Sequence, residues 1–336
     1  MARSSRSTPV PSTTKKPGPR ARKAGSTPSP ATKTRPSTSH PRRAPSRRRA
    51  EPKLQVIESP PLMQAAAVAL RRAMSTIGFV PTMGALHEAH LMLLREARRR
   101  CDVLVASIFV NPKQFDRPDD LCAYPRQLEA DRLSCEAAGV DILFAPSVEH
   151  MYPSGFDTTI HIDTLARGLC GASRPGHFDG MATVVTKLLN IVRPHVAVFG
   201  DKDYQQLQIV RRLVHDLSLP VEILGMPVMR EVDGLAMSSR NQRLSVEARS
   251  QATALYRAIE AAQRAVEQGE TRATVLIDRA RIELKRRPLV REDYLQVVNP
   301  QTLEPLEKLA SDARILVAAF LGEVRLIDNG PLFLPT

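Results

Sequence analysis

The sequence predicts an α/β fold with a doubly wound parallel sheet and a second, smaller α+β domain at the carboxyl end. Apolar runs of strand length alternate with helical patterns from residue 54 to residue 229, and this alternation is typical of parallel sheets covered by helices. After Met229 the pattern changes to two helical stretches followed by three short strands. We therefore expect a tail at residues 1–53 and domains at residues 54–229 and 230–333.

Short apolar runs predict the strands of the first domain, because buried parallel strands read as continuous Val, Ile, Leu and Phe. The strands are expected at Leu54–Ile57, Ile77–Val80, Val103–Val110, Asp141–Phe144, Val196–Phe199 and Val221–Val228. Helical periodicity predicts helices at Met63–Met74, Arg126–Ala138, Met181–Val192 and Tyr204–Leu217, and one more that begins after Gly84. Gly139 follows the second of these at the position where a C-cap glycine is favoured.

The second domain is predicted from longer helices and a cluster of short strands. Helices are expected at Ser245–Glu267 and Arg272–Arg286, and strands at Tyr294–Asn299, Arg314–Phe320 and Val324–Ile327. The longest wholly apolar run, Ile315–Leu321, is far below the ~20 residues that a membrane-spanning helix needs. We therefore expect no membrane partner.

The positive charge of the chain belongs to its first 53 residues. The whole sequence has a formal net charge of +13, yet residues 1–53 hold fifteen Lys and Arg residues and one acidic residue, Glu51. The remaining 33 basic and 34 acidic residues nearly cancel. A segment of Ser, Thr, Pro, Arg and Lys cannot bury enough apolar surface to offset its chain entropy, so we predict a disordered tail.

Several roles for this tail stay open. Its Arg- and Ser-rich, acid-poor composition suits an organellar transit peptide. It also suits an arm that binds nucleic acid or another anionic surface without sequence preference. A solvated segment without a role, or translation from a start codon set too far upstream, explains it equally well.

The four cysteines indicate a reducing compartment and no structural metal. Cys101, Cys122, Cys135 and Cys170 are spaced in a way that matches no common zinc or redox pattern. The N-terminus lacks the apolar segment of a secretory signal. We therefore expect free thiols and a cytoplasmic protein, with import into an organelle through the tail left open.

The first chemistry-bearing motif is a histidine pair at a strand-to-helix junction. His87 and His90 are three residues apart after Gly84, which places both imidazoles on one face of the expected helix. A helix N-terminus offers unpaired backbone N–H groups and a positive dipole end, which suit a phosphate. Isolated histidines are more often structural, but this pairing favours a phosphate-binding role.

Two further motifs supply groups that suit a polyphosphate. Gly200-Asp201-Lys202-Asp203 follows a predicted strand and opens a helix, so that Lys202 can place a point charge on phosphates. Met237-Ser238-Ser239-Arg240 follows Gly234, and hydroxyls with a guanidinium on such a loop suit a departing pyrophosphate. Residues 233–241 resemble the lid loop of a known enzyme family, and we call them the lid loop.

These motifs resemble those of the HxGH-type nucleotidyltransferases, and among them most closely the pantoate–β-alanine ligases, from about Leu54 to Asn329. The resemblance implies a Rossmann-like first domain, a homodimer, and ATP as the nucleotide, with Mg²⁺ bound mainly through phosphates. It implies catalytic roles for His90, His87, Lys202 and Arg240, and pantoate or β-alanine binding by Gln114 and Gln206. The ATP-binding residues that it implies are Met83, Gly84, Ala85, Leu86, His87, Glu88, Ala89, His90, Gly200, Asp201, Lys202, Asp203, Met229, Met237, Ser238, Ser239 and Arg240.

The chain departs from the family's pattern at three positions. Ala89 replaces a glycine, Asp201 replaces a glutamate, and Cys170 stands where a glutamate is usual. A methyl group at residue 89 can hinder the nucleotide unless the local φ is negative, and the other two changes shorten or remove a carboxylate.

The resemblance implies that the chain joins pantoate to β-alanine through a pantoyl adenylate, releasing AMP and pyrophosphate. Two alternatives stay open. The same phosphate-binding groups could serve another HxGH nucleotidyltransferase with a different acceptor. The three departures could also mark a catalytically impaired homologue that binds nucleic acid through its tail.

Removing residues 1–53 is expected to leave turnover unchanged, because the matched motifs begin only at Leu54. The measurement compares kcat and KM of the full chain with those of a chain that begins at Leu54. A large loss of turnover would show that the tail reaches the site.

Overall fold

The computed structural model describes residues 54–335, and its main sheet consists of six parallel strands. Their bounds are Gln55–Ile57 (β1), Ile77–Thr82 (β2), Val103–Ile108 (β3), Ile142–Phe144 (β4), Val196–Gly200 (β5) and Glu222–Met226 (β6). The order across the sheet is β1-β4-β3-β2-β5-β6, with every neighbouring pair parallel. The predicted basic, disordered tail of residues 1–53 lies outside the described residues.

Helices connect these strands, as parallel neighbours require. The helices are Pro60–Arg72 (α1), Glu88–Arg99 (α2), Pro118–Cys122 (α3), Leu128–Ala137 (α4), Val148–Met151 (α5), Cys170–Ser173 (α6), His177–Val192 (α7) and Tyr204–Asp216 (α8). Single 3₁₀ turns lie at Pro112–Gln114 and Asp201–Asp203. Both turns follow a strand of the sheet and carry side chains of the candidate site.

Apolar side chains cover both faces of the sheet. Along β2, Phe79 packs into one core cluster and Val80 into a second, separate one. Along β3, Val105 and Leu104 divide in the same way. Because successive side chains of a strand point to opposite faces, a strand buried on both faces needs an unbroken apolar sequence, which is the pattern that predicted these strands.

The carboxyl-terminal part builds a second core on an antiparallel sheet. Its elements are Val246–Ala252 (α9), Ala254–Glu267 (α10), Ala273–Lys285 (α11), Val290–Val298 (β7), Ala313–Leu321 (β8) and Val324–Leu332 (β9). The strands pair antiparallel in the order β7-β8-β9, and α10 and α11 pack against them through a core cluster of their own. The predicted fold class is therefore confirmed, whereas the domain limits at 229 and 230 stay a prediction.

Several elements differ from their predicted bounds. Helix α1 begins three residues before the expected Met63, β7 begins four residues before the expected Tyr294, and β9 continues five residues beyond the expected Ile327.

Two further helices differ for reasons that the structure shows. The expected helix Ser245–Glu267 is interrupted at Thr253, which lies between α9 and α10. Helix α7 begins at His177, four residues before the expected Met181. Gly180 hid this first turn because glycine disfavours helices. A Cβ on Gly180 would lie 2.0 Å from the carbonyl oxygen of Lys113, so the close approach of α7 to the 112–114 turn requires glycine.

Within residues 54–335, no helix combines the length and the apolar character that crossing a membrane would demand.

Replacing Leu104 by alanine is expected to lower the free energy of unfolding by about 2–5 kcal/mol. Leu104 lies on β3 and is fully buried, and deleting such a side chain loses apolar burial and leaves a cavity. Chemical denaturation at neutral pH measures the effect. Leu133→Ala on the exposed side of α4 is the control and should cost less than about 1 kcal/mol; equal losses would contradict the buried position of β3.

Candidate functional site

The candidate site lies where the two halves of the main sheet meet. Strands β2 and β5 are neighbours, with β3, β4 and β1 on one side and β6 on the other. The segment Met83–His90 follows β2, and the turn Asp201–Asp203 follows β5. In open α/β sheets the carboxyl ends of strands at such a reversal of strand order border the ligand crevice.

A cleft at this point collects most of the residues predicted for the site. Those that line it are Met83, His87, Ala89, His90, Gln114, Gly200, Lys202, Asp203, Gln206, Met229, Met237, Ser238, Ser239 and Arg240. A second cavity opens beside it and shares Lys202, Asp203, Gln206, Ser238 and Arg240 with it. We call the first cleft the main cavity. The predicted ATP-binding residues that do not line it are Gly84, Ala85, Leu86, Glu88 and Asp201.

The turn between β2 and α2 is held by a buried carboxylate. Gly84 and Ala85 both have left-handed backbones, with φ of 83° and 52°, a conformation that is strained for alanine. Asp131 stabilises the turn, because its two oxygens accept the N–H groups of Ala85 at 2.9 Å and Leu86 at 2.8 Å. These residues therefore shape the entrance to α2 from behind the cleft.

The first turn of α2 accommodates the alanine that replaces the family's glycine. Ala89 lies inside the helix and is absent from the residues with positive φ. Its methyl group therefore causes no backbone strain, and it faces the cleft. Glu88 beside it is exposed and pairs with Arg95, so its carboxylate is turned away from the cavity.

The histidine pair forms the N-terminal end of α2. His87 is the N-cap residue, its ring centroid lies 4.1 Å from that of His90, and its buried Nδ1 has no hydrogen-bond partner among the described residues. The backbone N–H of His87 donates to Nδ1 of His90 at 3.3 Å. The neutral ring of His90 therefore carries its proton on Nε2, where it can donate to a ligand.

Burial keeps both imidazoles neutral. It is the main cause of the lowered pKa of His87, with the Lys202 ammonium as the second cause. Burial also lowers the pKa of His90 to about 3, assisted by His87 and by Lys202. The resemblance implies a catalytic role for His90, and a neutral imidazole can fill such a role near neutral pH as a hydrogen-bond donor.

Lys202 lies in the 3₁₀ turn after β5 and faces both cavities. The neighbouring Asp201 carboxylate points elsewhere, with Oδ2 lying 3.5 Å from the Arg314 guanidinium. Asp203 is the only carboxylate among the described residues that line the main cavity. Lys202 and Asp203 thus present one cation and one anion to the cleft. Asp201, the third charged residue of the turn, is paired instead with Arg314 on β8.

Arg240 of the lid loop is held by a carboxylate that the sequence had not singled out. Its Nη2 donates to Asp120 at 2.8 Å, and Nη1 of Arg243 donates to the other oxygen of Asp120 at 2.5 Å. Burial alone would raise the pKa of Asp120, but the two arginines lower it to about 2. The trio keeps a net positive charge beside the cavity, because two cations share one anion.

Gln114 reaches the cleft from the turn after β3. Its Oε1 accepts from Asn111 Nδ2 at 2.9 Å, and its Nε2 lies 3.2 Å from the sulfur of Met83. Its backbone oxygen accepts from His177 Nδ1 at 2.7 Å and from Arg174 at 3.2 Å. Burial, assisted by Arg174, lowers the pKa of His177 to about 4, so this neutral histidine is part of the support for Gln114.

An apolar wall lines the main cavity together with the charged groups. It combines side chains of α7 with aromatic residues that follow β3 and end β5: Met181, Val184, Val185, Leu188, Phe109 and Phe199. Such a wall with a few convergent polar groups is typical of a small-molecule site.

The second cavity contains Cys170, the position where the family usually has glutamate. The Cys170 sulfur lies 3.3 Å from the Tyr294 hydroxyl and 3.5 Å from the Arg325 guanidinium. Arg325 keeps a carboxylate partner in Asp293, at 2.6 Å. The loss of the glutamate therefore leaves no unpaired arginine here.

Asp120 and Asp131 were missed because their partners are distant in the chain. Asp131 carried a weak signal, since it lies four residues before the buried Cys135 on α4 and so occupies the face where an apolar residue is expected. The sequence around Asp120 gives no such signal, because α3 has only five residues and is too short to show a periodic pattern.

The comparisons with known proteins agree with this geometry. A family model described as pantoate-beta-alanine ligase matches residues 55–331. The chain belongs to the pantoate–β-alanine ligase family. This confirms the resemblance seen in the motifs, and it makes the chain an ATP-dependent ligase that forms a C–N bond.

Relatives named pantothenate synthetase are similar to the chain over most of its length. One from Trichlorobacter lovleyi is 53% identical over 267 residues, which is 80% of this chain and 94% of the relative. One from Syntrophotalea carbinolica is 49% identical over 276 residues, covering 82% of this chain and 98% of the relative.

Solved structures of the family share the fold. The pantothenate synthetase of Thermus thermophilus has a TM-score of 0.79 and 46% identity, covering 83% of this chain and 99% of its own. The pantoate-beta-alanine ligase of Francisella tularensis, complexed with beta-gamma ATP and beta-alanine, has a TM-score of 0.70 and 35% identity over 83% of this chain and 97% of its own.

Within residues 54–335, no group of three or more His, Cys, Asp or Glu side chains is arranged to hold a metal ion. The predicted absence of a protein-built metal site stays a prediction for the whole chain.

The pH dependence of stability is expected to report the neutral state of His90. Its pKa is about 3 in the folded protein against an ordinary 6.5, so between these values the unfolded chain binds a proton that the folded chain does not. The free energy of unfolding therefore falls as pH falls through this window. His90→Gln should make the fall of the free energy of unfolding between pH 7 and pH 5 shallower, because the unfolded variant binds up to one proton fewer.

Denaturant unfolding at pH 7, 6 and 5 measures this slope. His150→Gln, which removes an exposed imidazole from α5, is the matched control and should follow the unmodified chain. Identical slopes for all three proteins would show that His90 titrates in the folded state as it does in the unfolded state.

Proposed function

We propose that this ligase condenses pantoate with β-alanine through a pantoyl adenylate, releasing AMP and pyrophosphate. The observation that carries the proposal is the convergence of one imidazole pair, Lys202 and the Arg240 loop on a single cleft. Cations and hydrogen-bond donors line this cleft together with an apolar wall and two amides. This combination suits a nucleotide triphosphate beside a small branched hydroxy acid.

ATP would place its phosphates at the N-terminus of α2. Backbone N–H groups and the helix dipole favour an anion there, and Nε2–H of His90 can donate to a phosphate oxygen. Lys202 supplies a charge from the turn after β5. Ser238, Ser239 and Arg240 would bind the β- and γ-phosphates, which leave as pyrophosphate.

Pantoate would lie against the apolar wall of the cleft. Its two methyl groups suit the side chains of Val184, Val185 and Leu188, because burying them removes apolar surface from water. Its hydroxyl groups suit the amides of Gln114 and Gln206, each of which offers a donor and an acceptor. The resemblance supports both amide roles.

In the first step a pantoate carboxylate oxygen would attack the α-phosphorus of ATP, and the bond from this phosphorus to the bridging oxygen of pyrophosphate would break. Negative charge grows on the transferring phosphate and on the leaving group, where His90, Lys202 and Arg240 stabilise it. In the second step the neutral amine of β-alanine attacks the acyl carbon, AMP leaves with the electron pair of the C–O bond, and the nitrogen of the new amide gives up one proton to water. The residues position and stabilise, without a covalent enzyme intermediate.

Mg²⁺ would be bound mainly by phosphate oxygens and waters, as is usual for this ion. Asp203 is suited to hold it, since it is the carboxylate that lines the main cavity in the described part of the chain. The ion would neutralise phosphate charge and orient the triphosphate.

A homodimer in the cytoplasm completes the proposal. The resemblance supports the dimer. The four cysteines, which are all free, support a reducing compartment.

Incubation of the purified chain with ATP, Mg²⁺, pantoate and β-alanine tests the function. Pantothenate, AMP and pyrophosphate should form in equal amounts, and exchange of labelled pyrophosphate into ATP should require pantoate but not β-alanine. Exchange without pantoate would indicate another acceptor. The absence of both reactions would indicate an impaired homologue.

Replacing Lys202 by alanine is expected to lower the rate of adenylate formation by ~10²–10³, the scale for losing one preorganised charge contact. Pantoate-dependent pyrophosphate exchange measures this rate. Lys308→Ala, at an exposed position of the carboxyl-terminal part, removes the same charge outside the cleft and should change nothing. An unchanged rate in Lys202→Ala would remove this lysine from the mechanism.

A further inference from the structure

Strand β9 brings a buried asparagine to the turn that carries Lys202. Asn329 is only 2% exposed, and the preceding Asp328 is 3% exposed. The sequence pattern had ended the expected strand at Ile327, before both residues. Burying two adjacent polar side chains costs free energy unless each is fully hydrogen-bonded, so their bonds indicate what they do.

The Asn329 side chain binds the backbone of the Lys202 turn. Its Nδ2 donates to the carbonyl oxygens of Asp201 at 2.9 Å and Lys202 at 3.0 Å. Its Oδ1 accepts from Nε of Arg314 at 2.7 Å. Both amide hydrogens therefore hold the two carbonyl groups on either side of the Lys202 Cα, and the amide cannot flip without losing all three bonds.

Arg314 reinforces the same turn through its charge. Its guanidinium lies 3.8 Å above the ring of Tyr204 and 3.5 Å from the Asp201 carboxylate. Burial lowers the pKa of Arg314, while Tyr204 and Asp201 favour its charged form. Asn329 therefore holds the backbone of the turn, and Arg314 holds the side chains of Asp201 and Tyr204 at its two ends.

Asp328 fixes the position from which Asn329 acts. Its Oδ1 accepts the backbone N–H of Asn329 at 2.7 Å. Both of its oxygens also bind the Arg230 guanidinium, at 2.6 Å and 3.0 Å. Arg230 pairs with Ala236 in the backbone bridge that leads into the lid loop, so the end of β9 is fixed against that loop as well.

We propose that Asn329 is a positioning residue for adenylate formation: through its two bonds to the 201–202 backbone it sets where the Lys202 ammonium meets the phosphates. The inference rests on the proposed function, because it assumes that Lys202 acts in adenylate formation. Asn329 does not line the main cavity. It borders the second cavity, but its Oδ1 and Nδ2 are already bonded to Arg314 and to the 201–202 backbone, so it acts through Lys202. A displacement of about 1 Å in such a charge is enough to cost up to ~10²-fold in rate.

A double-mutant cycle separates positioning from mere stability. Asn329→Ala should lower the rate of pantoate-dependent pyrophosphate exchange by ~10- to 10²-fold, with a smaller change in the KM for ATP. In a Lys202→Ala background the same substitution should lower the rate by less than ~3-fold, because residues that act together are not additive. An equal loss in both backgrounds would overturn the inference.

Two further variants guard against a folding defect. Leu332→Ala removes a fully buried side chain from β9 and should lower the melting temperature without a comparable loss of rate. Asn329→Ser keeps a short donor and should retain more activity than Asn329→Asp, whose carboxylate would repel the two carbonyl oxygens. Loss of rate that follows melting temperature across all these variants would assign Asn329 a structural role only.

The unmodified chain distinguishes the two levels of failure. If it shows no pantoate-dependent exchange, the proposed function fails. If it is active and the cycle is additive, only the role of Asn329 fails.

Discussion

The structure depends on the pairing of β2 with β5 at the centre of the main sheet. Because the strands run parallel, both release the chain at the same edge, one into the N-terminus of α2 and the other into the Lys202 turn. Two segments more than a hundred residues apart thereby face each other across one cleft. The histidines supply neutral imidazoles at the N-terminus of α2, whose dipole favours an anion, and the lysine supplies the charge.

The carboxyl-terminal sheet takes part in this arrangement as a support for charged groups. Strand β9 holds the Lys202 turn through Asn329 and the base of the lid loop through Asp328 and Arg230. Asp120 holds Arg240 of the lid loop through a charged hydrogen bond. Every one of these contacts joins a cation-bearing segment to a distant carboxylate or amide, and the low exposure of the partners makes an unpaired state costly.

The sequence predicted what is local and missed what is long-range. Apolar runs identified the strands, and the spacing of His87 and His90 marked the helix start, because both signals lie within one element. Lys202 was found for the same reason. Asp120, Asp131 and Asn329 were not found, since each binds a backbone or guanidinium group 45 to 128 residues away. The start of α7 was missed because Gly180 serves a close approach that no local pattern reveals.

A crystal structure with a non-hydrolysable ATP analogue and pantoate would test the central claim most directly. The account predicts that the phosphates lie between the N-terminus of α2, Lys202 and Arg240, with His90 donating to a phosphate oxygen and pantoate against the α7 side chains. Phosphates bound outside this cleft, with Lys202 and the imidazole pair free of contact to them, would contradict it.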